Sequence, residues 1–363
     1  MTLIVGYIHS DSSIHIFADS AETIDSINKE KTDYNHETFN SFGEILHSDN
    51  DSITIESAQK IFNFNDTIII TFSGQVYEGD QVLRDLKFEI ENYKGNNISN
   101  IISDYFLKRK PSLSEYIIGF REDNNPKIYY YRNKGGFLTK NGASILLGSG
   151  SQNELLSLPL VYTLEILNKS RTTSDNLSIL LISIIQCCAI NALTFKSGVG
   201  GFFNGAYINS KGVVQWAKDT SCSMYSSKHF EQGERFLINK FNRDNVTYIT
   251  SPKIEKTAFF PNTFINKISP NEWVQKWSTE LDNLNTNCIC DYYSFICYDR
   301  RIVTLVNRNN DRFEKYLKIK PLNDNIMELI MSELLLKNLL SYSVDPLTNK
   351  EFINGFGVQL NYL

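Results

Sequence analysis

Cysteines, blocks of basic residues and long apolar runs are scarce in this sequence, and each scarcity excludes a class of protein. Six cysteines in 363 residues do not make a disulfide framework. Cys288, Cys290 and Cys297 lie in strand-like sequence with no histidine nearby in the chain, so we expect buried thiols and no metal site there. Lys and Arg (36) are scattered among Asp and Glu (41), which excludes a nucleic-acid-binding surface with clustered positive charge. The longest apolar run, residues 177–190, is too short to span a membrane and contains Ser and Gln, which predicts a buried helix.

The first residues also lack a charged segment followed by an apolar core, which argues against a signal peptide and favours a cytoplasmic protein. With 42% hydrophobic residues, 12% aromatic residues and a formal charge of -5, the composition is typical of a globular protein. A chain of this length has room for one large core or for two domains.

A threonine, Thr2, directly follows the initiator methionine. It is small enough for methionine aminopeptidase to expose it, and the mature chain would then carry a hydroxyl and a free amine on one residue. An α-amine titrates at roughly pH 7.7 to 8.0, so its neutral fraction can accept the hydroxyl proton directly or through a water molecule. A small second residue alone indicates only efficient removal of methionine. Whether Thr2 is a nucleophile depends on the other motifs in the chain.

Short motifs accompany Thr2 in a definite order along the chain. They are Ile16-Phe17-Ala18-Asp19-Ser20, Gln59-Lys60-Ile61-Phe62, Thr71-Phe72-Ser73-Gly74, Leu147-Gly148-Ser149-Gly150-Ser151 and Gly200-Gly201. In this order they resemble the β-type subunits of the proteasome and the peptidase of the bacterial heat-shock ATP-dependent protease, which are N-terminal-nucleophile hydrolases. The resemblance covers roughly residues 1–216. It implies an α+β fold, a four-layer αββα sandwich, with a C-terminal extension beyond it.

The resemblance also implies a role for each matched residue. Thr2 would be the nucleophile, and the charge of Lys60 would favour alkoxide character on its hydroxyl. Asp19 would hold the ammonium of Lys60. Gly74 would offer a backbone donor to the oxygen of the tetrahedral intermediate. Ser149 would hold the amine and a water molecule, and no cofactor or metal is needed.

Four further positions match those that build the first substrate pocket in the family. Ala58, Phe62, Phe72 and Val76 predict an apolar pocket, which Phe72 makes shallow. The alternative is that these four are core residues of their strands. For Phe62 the sequence favours the pocket and the core equally.

The sequence departs from the family near the Gly-Gly turn. Lys196 and Val199 occupy positions where the family has an aspartate and a serine close to the amine, and Ser197 replaces that serine only if the alignment shifts locally. The first function hypothesis is a threonine peptidase that cleaves peptides or unfolded protein. The others are a non-catalytic proteasome-like scaffold or regulatory protein and a small-molecule amidase. The resemblance leaves open a homo-oligomer or ring and an ATPase or regulatory partner, and neither nucleic acid nor membrane is expected.

The resemblance ends near residue 216, which implies a domain at 1–216 and an extension of unknown role at 217–363. Strands are predicted at 3–9, 13–19, 58–64 and 67–72, and helices at 76–93, 98–106, 151–169 and 174–194. Polar sequence at 22–57 reads as an inserted loop, a lid or a partner-binding flap. Apolar spacing over 325–340 predicts one strong helix, with Asn323 or Asp324 as its cap.

Overall fold

A computed structural model describes most of the chain, which forms two compact units. The described residues are 2–25, 48–49, 52–56, 59–93, 97–109, 114–132, 135–139, 144–169, 172–226, 235–243, 246–251, 256–261, 289–323, 326–340 and 359–362. Unit 1 comprises Met1–Ala217 with Asn262–Phe264, and unit 2 comprises Lys218–Pro261 with Ile265–Leu363.

Unit 1 mixes strands and helices. Its strands are β1 Ile4–Ile8, β2 Ile14–Asp19, β3 Ala21–Asp25, β4 Ser48–Asp49, β5 Ser52–Glu56, β6 Ile61–Phe64, β7 Ile68–Ser73, β8 Glu115–Glu122, β9 Asn125–Arg132, β10 Gly135–Leu138, β11 Ser144–Leu147, β12 Phe203–Ile208 and β13 Val214–Trp216. Its helices are α1 Val76–Asn92, α2 Ile98–Lys108, α3 Glu154–Leu167 and α4 Ser174–Asn191. The predicted α+β class is confirmed.

Two five-stranded antiparallel sheets form the body of unit 1. The first sheet has the order β11-β1-β2-β12-β13 and the second β10-β9-β8-β7-β6. A core of aliphatic side chains joins them, with Ile4 and Ile16 of the first sheet in one cluster with Ile69 and Ile117 of the second. This burial of branched side chains on both inner faces fixes the strand register that brings the ends of β1, β2 and β7 into defined positions.

Helices of unit 1 pack against both sheets. Val82 and Leu86 of α1 and Phe106 of α2 share a core cluster with the second sheet. Helix α4 contacts the first sheet, where Ser178 Oγ lies 2.9 Å from Nδ1 of the buried His15. Helix α4 is long and apolar enough to span a membrane, but 67% of it is buried inside the protein, as in the core helix of a globular unit.

The polar insertion begins and ends in paired strands, where a loop was predicted. Strands β3 and β5 pair antiparallel from Ala21↔Glu56 to Asp25↔Ser52, and β4 adds to the edge of β5. Residues 26–47 lie outside the described residues, so the lid or flap stays a prediction. The insertion therefore begins and ends in a β-ribbon whose first residue, Ala21, is two positions after Asp19.

Unit 2 contains a mixed sheet and a separate hairpin. Its elements are β14 Thr220–Tyr225, β15 Arg235–Arg243, β16 Val246–Ser251, β17 Lys256–Pro261, β18 Tyr292–Cys297, β19 Ile302–Asn307, α5 Phe313–Tyr316, β20 Leu317–Asn323, β21 Ile326–Met331, α6 Glu333–Leu340 and β22 Gln359–Tyr362. Seven strands form the sheet in the order β17-β16-β15-β14-β18-β19-β22.

The prediction of one helix over 325–340 was wrong. Strand β21 pairs with β20 through Leu317↔Met331 and Ile319↔Leu329, and these alternate residues pack on the unit 2 core. The helix begins only at Glu333, and Ser332 Oγ accepts the Leu335 amide at 3.1 Å as its cap. Cross-strand pairing with a neighbour absent from the local window overrides the helical spacing.

Lys240 of β15 is a buried amine in unit 2. The residue is 7% exposed, and its Nζ has no hydrogen-bond partner in the described part of the chain. Burial lowers the pKa of Lys240 from 10.5 to about 8, against the opposing influence of Asp219 and Cys290. Between these two values only the unfolded chain binds the proton, so stability rises with pH there, by about 1.4 kcal/mol per pH unit.

We therefore expect Lys240→Met to be more stable than wild type at pH 7, where the buried amine is charged, and to lose this advantage as pH rises from 8 to 10.5. Chemical denaturation of both proteins at matched pH values measures the difference. Lys211→Met, in an exposed turn, is the control and should show little difference at any pH. An advantage of Lys240→Met that does not change with pH would contradict this prediction.

Candidate active site

Thr2 lies at the entry of β1 and is 3% exposed. Its backbone N–H donates to Ser149 Oγ at 3.2 Å, and its carbonyl accepts the Gly150 amide at 3.0 Å. Gly148 has a φ of +83°, and a Cβ there would lie 2.2 Å from the Thr2 carbonyl oxygen, so only glycine fits. The turn at 148–150 thus holds both backbone groups of Thr2.

Asp19, the last residue of β2, connects three parts of the site. Its Oδ1 accepts the Leu3 amide at 3.1 Å and Lys60 Nζ at 2.9 Å. Its Oδ2 accepts the Gly200 amide at 3.0 Å. With 2% exposure, the carboxylate is stabilised by these donors and not by water. One side chain therefore fixes the start of β1, the lysine and the Gly-Gly turn.

Lys60 is 5% exposed and precedes β6. Its ammonium donates to Asp19 and to the backbone carbonyl of Ala21. Burial lowers the pKa of Lys60, and the charges of Asp19 and Glu22 oppose this shift. The buried ammonium is therefore a positive charge that the carboxylate of Asp19 and the carbonyl of Ala21 hold in place.

Gly74 directly follows β7, in a turn that has no room for a side chain. Its φ is +127°, and a Cβ would lie 2.4 Å from Ser114 Oγ. Ser114 Oγ also accepts the Gln75 amide at 3.3 Å. The neighbouring Ser73 Oγ lies 2.8 Å from the Cβ position of Gly148, so the turn at Gly74 adjoins the turn that holds Thr2.

Hydrogen bonds connect four of the five predicted catalytic residues, and the turn at the fifth, Gly74, adjoins Gly148 through Ser73. Thr2 contacts Ser149, Asp19 contacts Lys60, and the Leu3 amide joins the two pairs. Their proposed chemical roles remain predictions.

The structure describes three of the four predicted substrate-pocket residues. Phe62 and Phe72 stack with centroids 6.3 Å apart and belong to the core under α1, where Phe72 contacts Gly79. Val76 begins α1 and is 43% exposed. Ala58 lies outside the described residues. The core alternative describes the two phenylalanines, and the pocket stays a prediction.

One departure from the family pattern, Val199, lies beside the turn that holds Thr2. Val199 is buried, and its Cγ1 lies 2.9 Å from the Cβ position of Gly150. Ser197 is exposed and donates its hydroxyl to the Thr194 carbonyl at 2.8 Å. Lys196 lies in the same 3-10 turn, Thr194–Ser197.

Sequence reasoning missed two residues that hold the Gly-Gly turn. Glu56 of β5 is 4% exposed, and its Oε1 accepts the Phe202 amide at 2.7 Å. Gln186 donates to the Gly201 carbonyl at 2.9 Å and accepts the Phe203 amide at 3.2 Å. The only local signal was a polar residue in an otherwise apolar helix, at Gln186.

Comparison with known protein families gives a match over part of unit 1. The family model described as proteasome subunit matches residues 44–157. This segment contains Lys60, Gly74 and Ser149 but neither Thr2 nor Asp19. No curated protein matches the chain. The match supports a proteasome-type peptidase at the level of the family, and the chain therefore resembles the subunits of the proteasome.

Proposed function

We propose that the protein is an N-terminal threonine hydrolase of proteasome type, which cleaves amide bonds in peptides or unfolded protein. The observation that carries this proposal is the shared carboxylate of Asp19, which binds Lys60 Nζ and the amide of Leu3, the residue after Thr2. A buried ion pair costs desolvation energy, and its presence beside the first residues of the chain favours a chemical role.

In the proposed reaction, removal of Met1 frees the amine of Thr2. The neutral amine takes the hydroxyl proton while Thr2 Oγ1 attacks the substrate carbonyl, and Lys60 stabilises the developing negative charge. The Gly74 amide donates to the oxyanion. The protonated amine then gives its proton to the leaving amine, and water hydrolyses the ester that remains on Thr2.

The four-layer αββα sandwich is part of this proposal, with two sheets between helix pairs α1/α2 and α3/α4. We also propose a cytoplasmic oligomer or ring that takes unfolded chains from an ATPase or regulatory partner. Tyr77 of α1 and Leu107 of α2, at 82% and 81% exposure, give these helices apolar surface for subunit contacts.

A second candidate function is a non-catalytic proteasome-like scaffold or regulatory protein. Val199 favours it, because an apolar side chain next to Gly150 cannot accept a hydrogen bond from the amine. A small-molecule amidase, the remaining hypothesis, has no specific observation in its favour.

Intact-mass measurement with a peptide epoxyketone distinguishes these functions. We expect the purified protein to lack Met1 and to gain the mass of one probe molecule, and to cleave unfolded protein. Retained Met1, or an exposed Thr2 that never reacts, would support the scaffold. Labelling without peptide cleavage would support the amidase.

A further inference from the structure

We propose that Glu115, the first residue of β8, is a positioning residue for Thr2, a role that rests on the proposed function. Its Oε2 accepts the Gly148 amide at 2.5 Å. The Glu115 side chain is 17% exposed, so this hydrogen bond is largely protected from water. The contact crosses from the second sheet to the turn at the end of the first.

The contact reaches Thr2 through one rigid turn. Gly148 abuts the Thr2 carbonyl, Ser149 accepts the Thr2 amide, and Gly150 donates to the Thr2 carbonyl. After removal of Met1 the same Ser149 hydroxyl would face the reactive amine. A small rotation of this turn would shift the amine relative to its own hydroxyl, and such displacements are costly in catalysis.

Glu115 also lies beside the proposed oxyanion donor. In the second sheet it pairs with Ser73, the residue before Gly74, and Ser73 Oγ approaches Gly148. The backbone of Glu115 is thus fixed next to the oxyanion turn, while its side chain holds the nucleophile turn. One residue sets the separation between the two halves of the site.

Arg132 fixes the orientation of the carboxylate. Its Nε lies 3.0 Å from Glu115 Oε1 without an aligned hydrogen bond, so the contact is an ion pair. The two oxygens of Glu115 therefore serve different partners. A glutamine cannot replace both contacts, because it has one acceptor oxygen. That oxygen can accept from the Gly148 amide or lie against the guanidinium, but not both.

A double-mutant cycle on the full-length protein tests this role. The readout is the epoxyketone reaction, separated into the maximal rate of inactivation and the probe concentration at half-maximal rate. We expect Glu115→Gln to lower the maximal rate of inactivation about 10-fold, with little change in the probe concentration at half-maximal rate. Arg132→Met should change the maximal rate less than about threefold. The double variant should recover to within about threefold of wild type, because its glutamine oxygen is free to accept the Gly148 amide.

Glu122→Gln is the matched control. Glu122 is a buried, ion-paired glutamate at the far end of the same strand, roughly 23 Å along it, and bonds Ser99 and Lys127. Its substitution should leave the maximal rate within about twofold of wild type. Equal rates for wild type and Glu115→Gln, or an additive loss in the double variant, would overturn the positioning role alone. A wild-type chain with exposed Thr2 that does not react would instead overturn the proposed function.

Discussion

Thr2→Ala is expected to abolish labelling by the epoxyketone and cleavage of unfolded protein, with a loss of at least about 10³-fold in rate. Alanine is as readily exposed by methionine removal and keeps the free amine, so only the hydroxyl is lost. Time courses of intact mass and of peptide release measure the effect.

Thr2→Ser supplies the matched control, because it restores the hydroxyl and removes only a methyl group. We expect it to label within about 10-fold of wild type. If Thr2→Ala gained probe mass as fast as wild type, another residue would be the nucleophile and the proposed mechanism would be wrong.

Asp19→Ala is expected to lower the free energy of unfolding by about 3 to 5 kcal/mol. The substitution leaves the buried ammonium of Lys60 without its carboxylate and two buried amides, of Leu3 and Gly200, without their acceptor. Thermal and urea unfolding, followed by a spectroscopic signal from residues 1–217, measure the loss in the free energy of unfolding.

Two further variants separate the charge from the hydrogen bonds. Asp19→Ala combined with Lys60→Met should recover part of the stability, because no unpaired charge remains buried. Glu91→Ala breaks a partly exposed pair with Lys87, 3.9 Å apart in α1, and should cost less than about 0.5 kcal/mol. Equal losses in the single and double Asp19 variants would show that the ion pair does not carry the effect.

Local patterns predicted much of unit 1. Helices α1 and α2 begin at Val76 and Ile98, where the periodicity placed them, because their apolar positions recur on one face. The residues of the site were predicted from the family resemblance and not from hydrophobic periodicity. Asp19 and Lys60 are 41 residues apart in sequence, and Thr2 and Ser149 are 147 apart, so no local window contains either contact.

Residues whose roles depend on a distant partner could not be predicted. Glu56 lies in the polar sequence predicted as an inserted loop, and no role was predicted for Glu115, yet each accepts a backbone amide from a turn far along the chain. In unit 2 the segment at 326–331 has helical spacing, but pairing with β20 decides its structure. A single sequence carries no direct signal for such pairings.

The β-ribbon at the root of the insertion sets a rule for re-engineering the protein. Ala21 at one end supplies a carbonyl to Lys60, and Glu56, opposite it, holds the Phe202 amide. A shortened chain that connects Asp25 to Ser52 by a two-residue Asn-Gly turn keeps every rung of that ribbon. A deletion that removed Ala21 or Glu56 would break the contacts that position Lys60 and Phe202. Deletions and grafted segments should therefore begin beyond the outermost pair, Asp25 and Ser52.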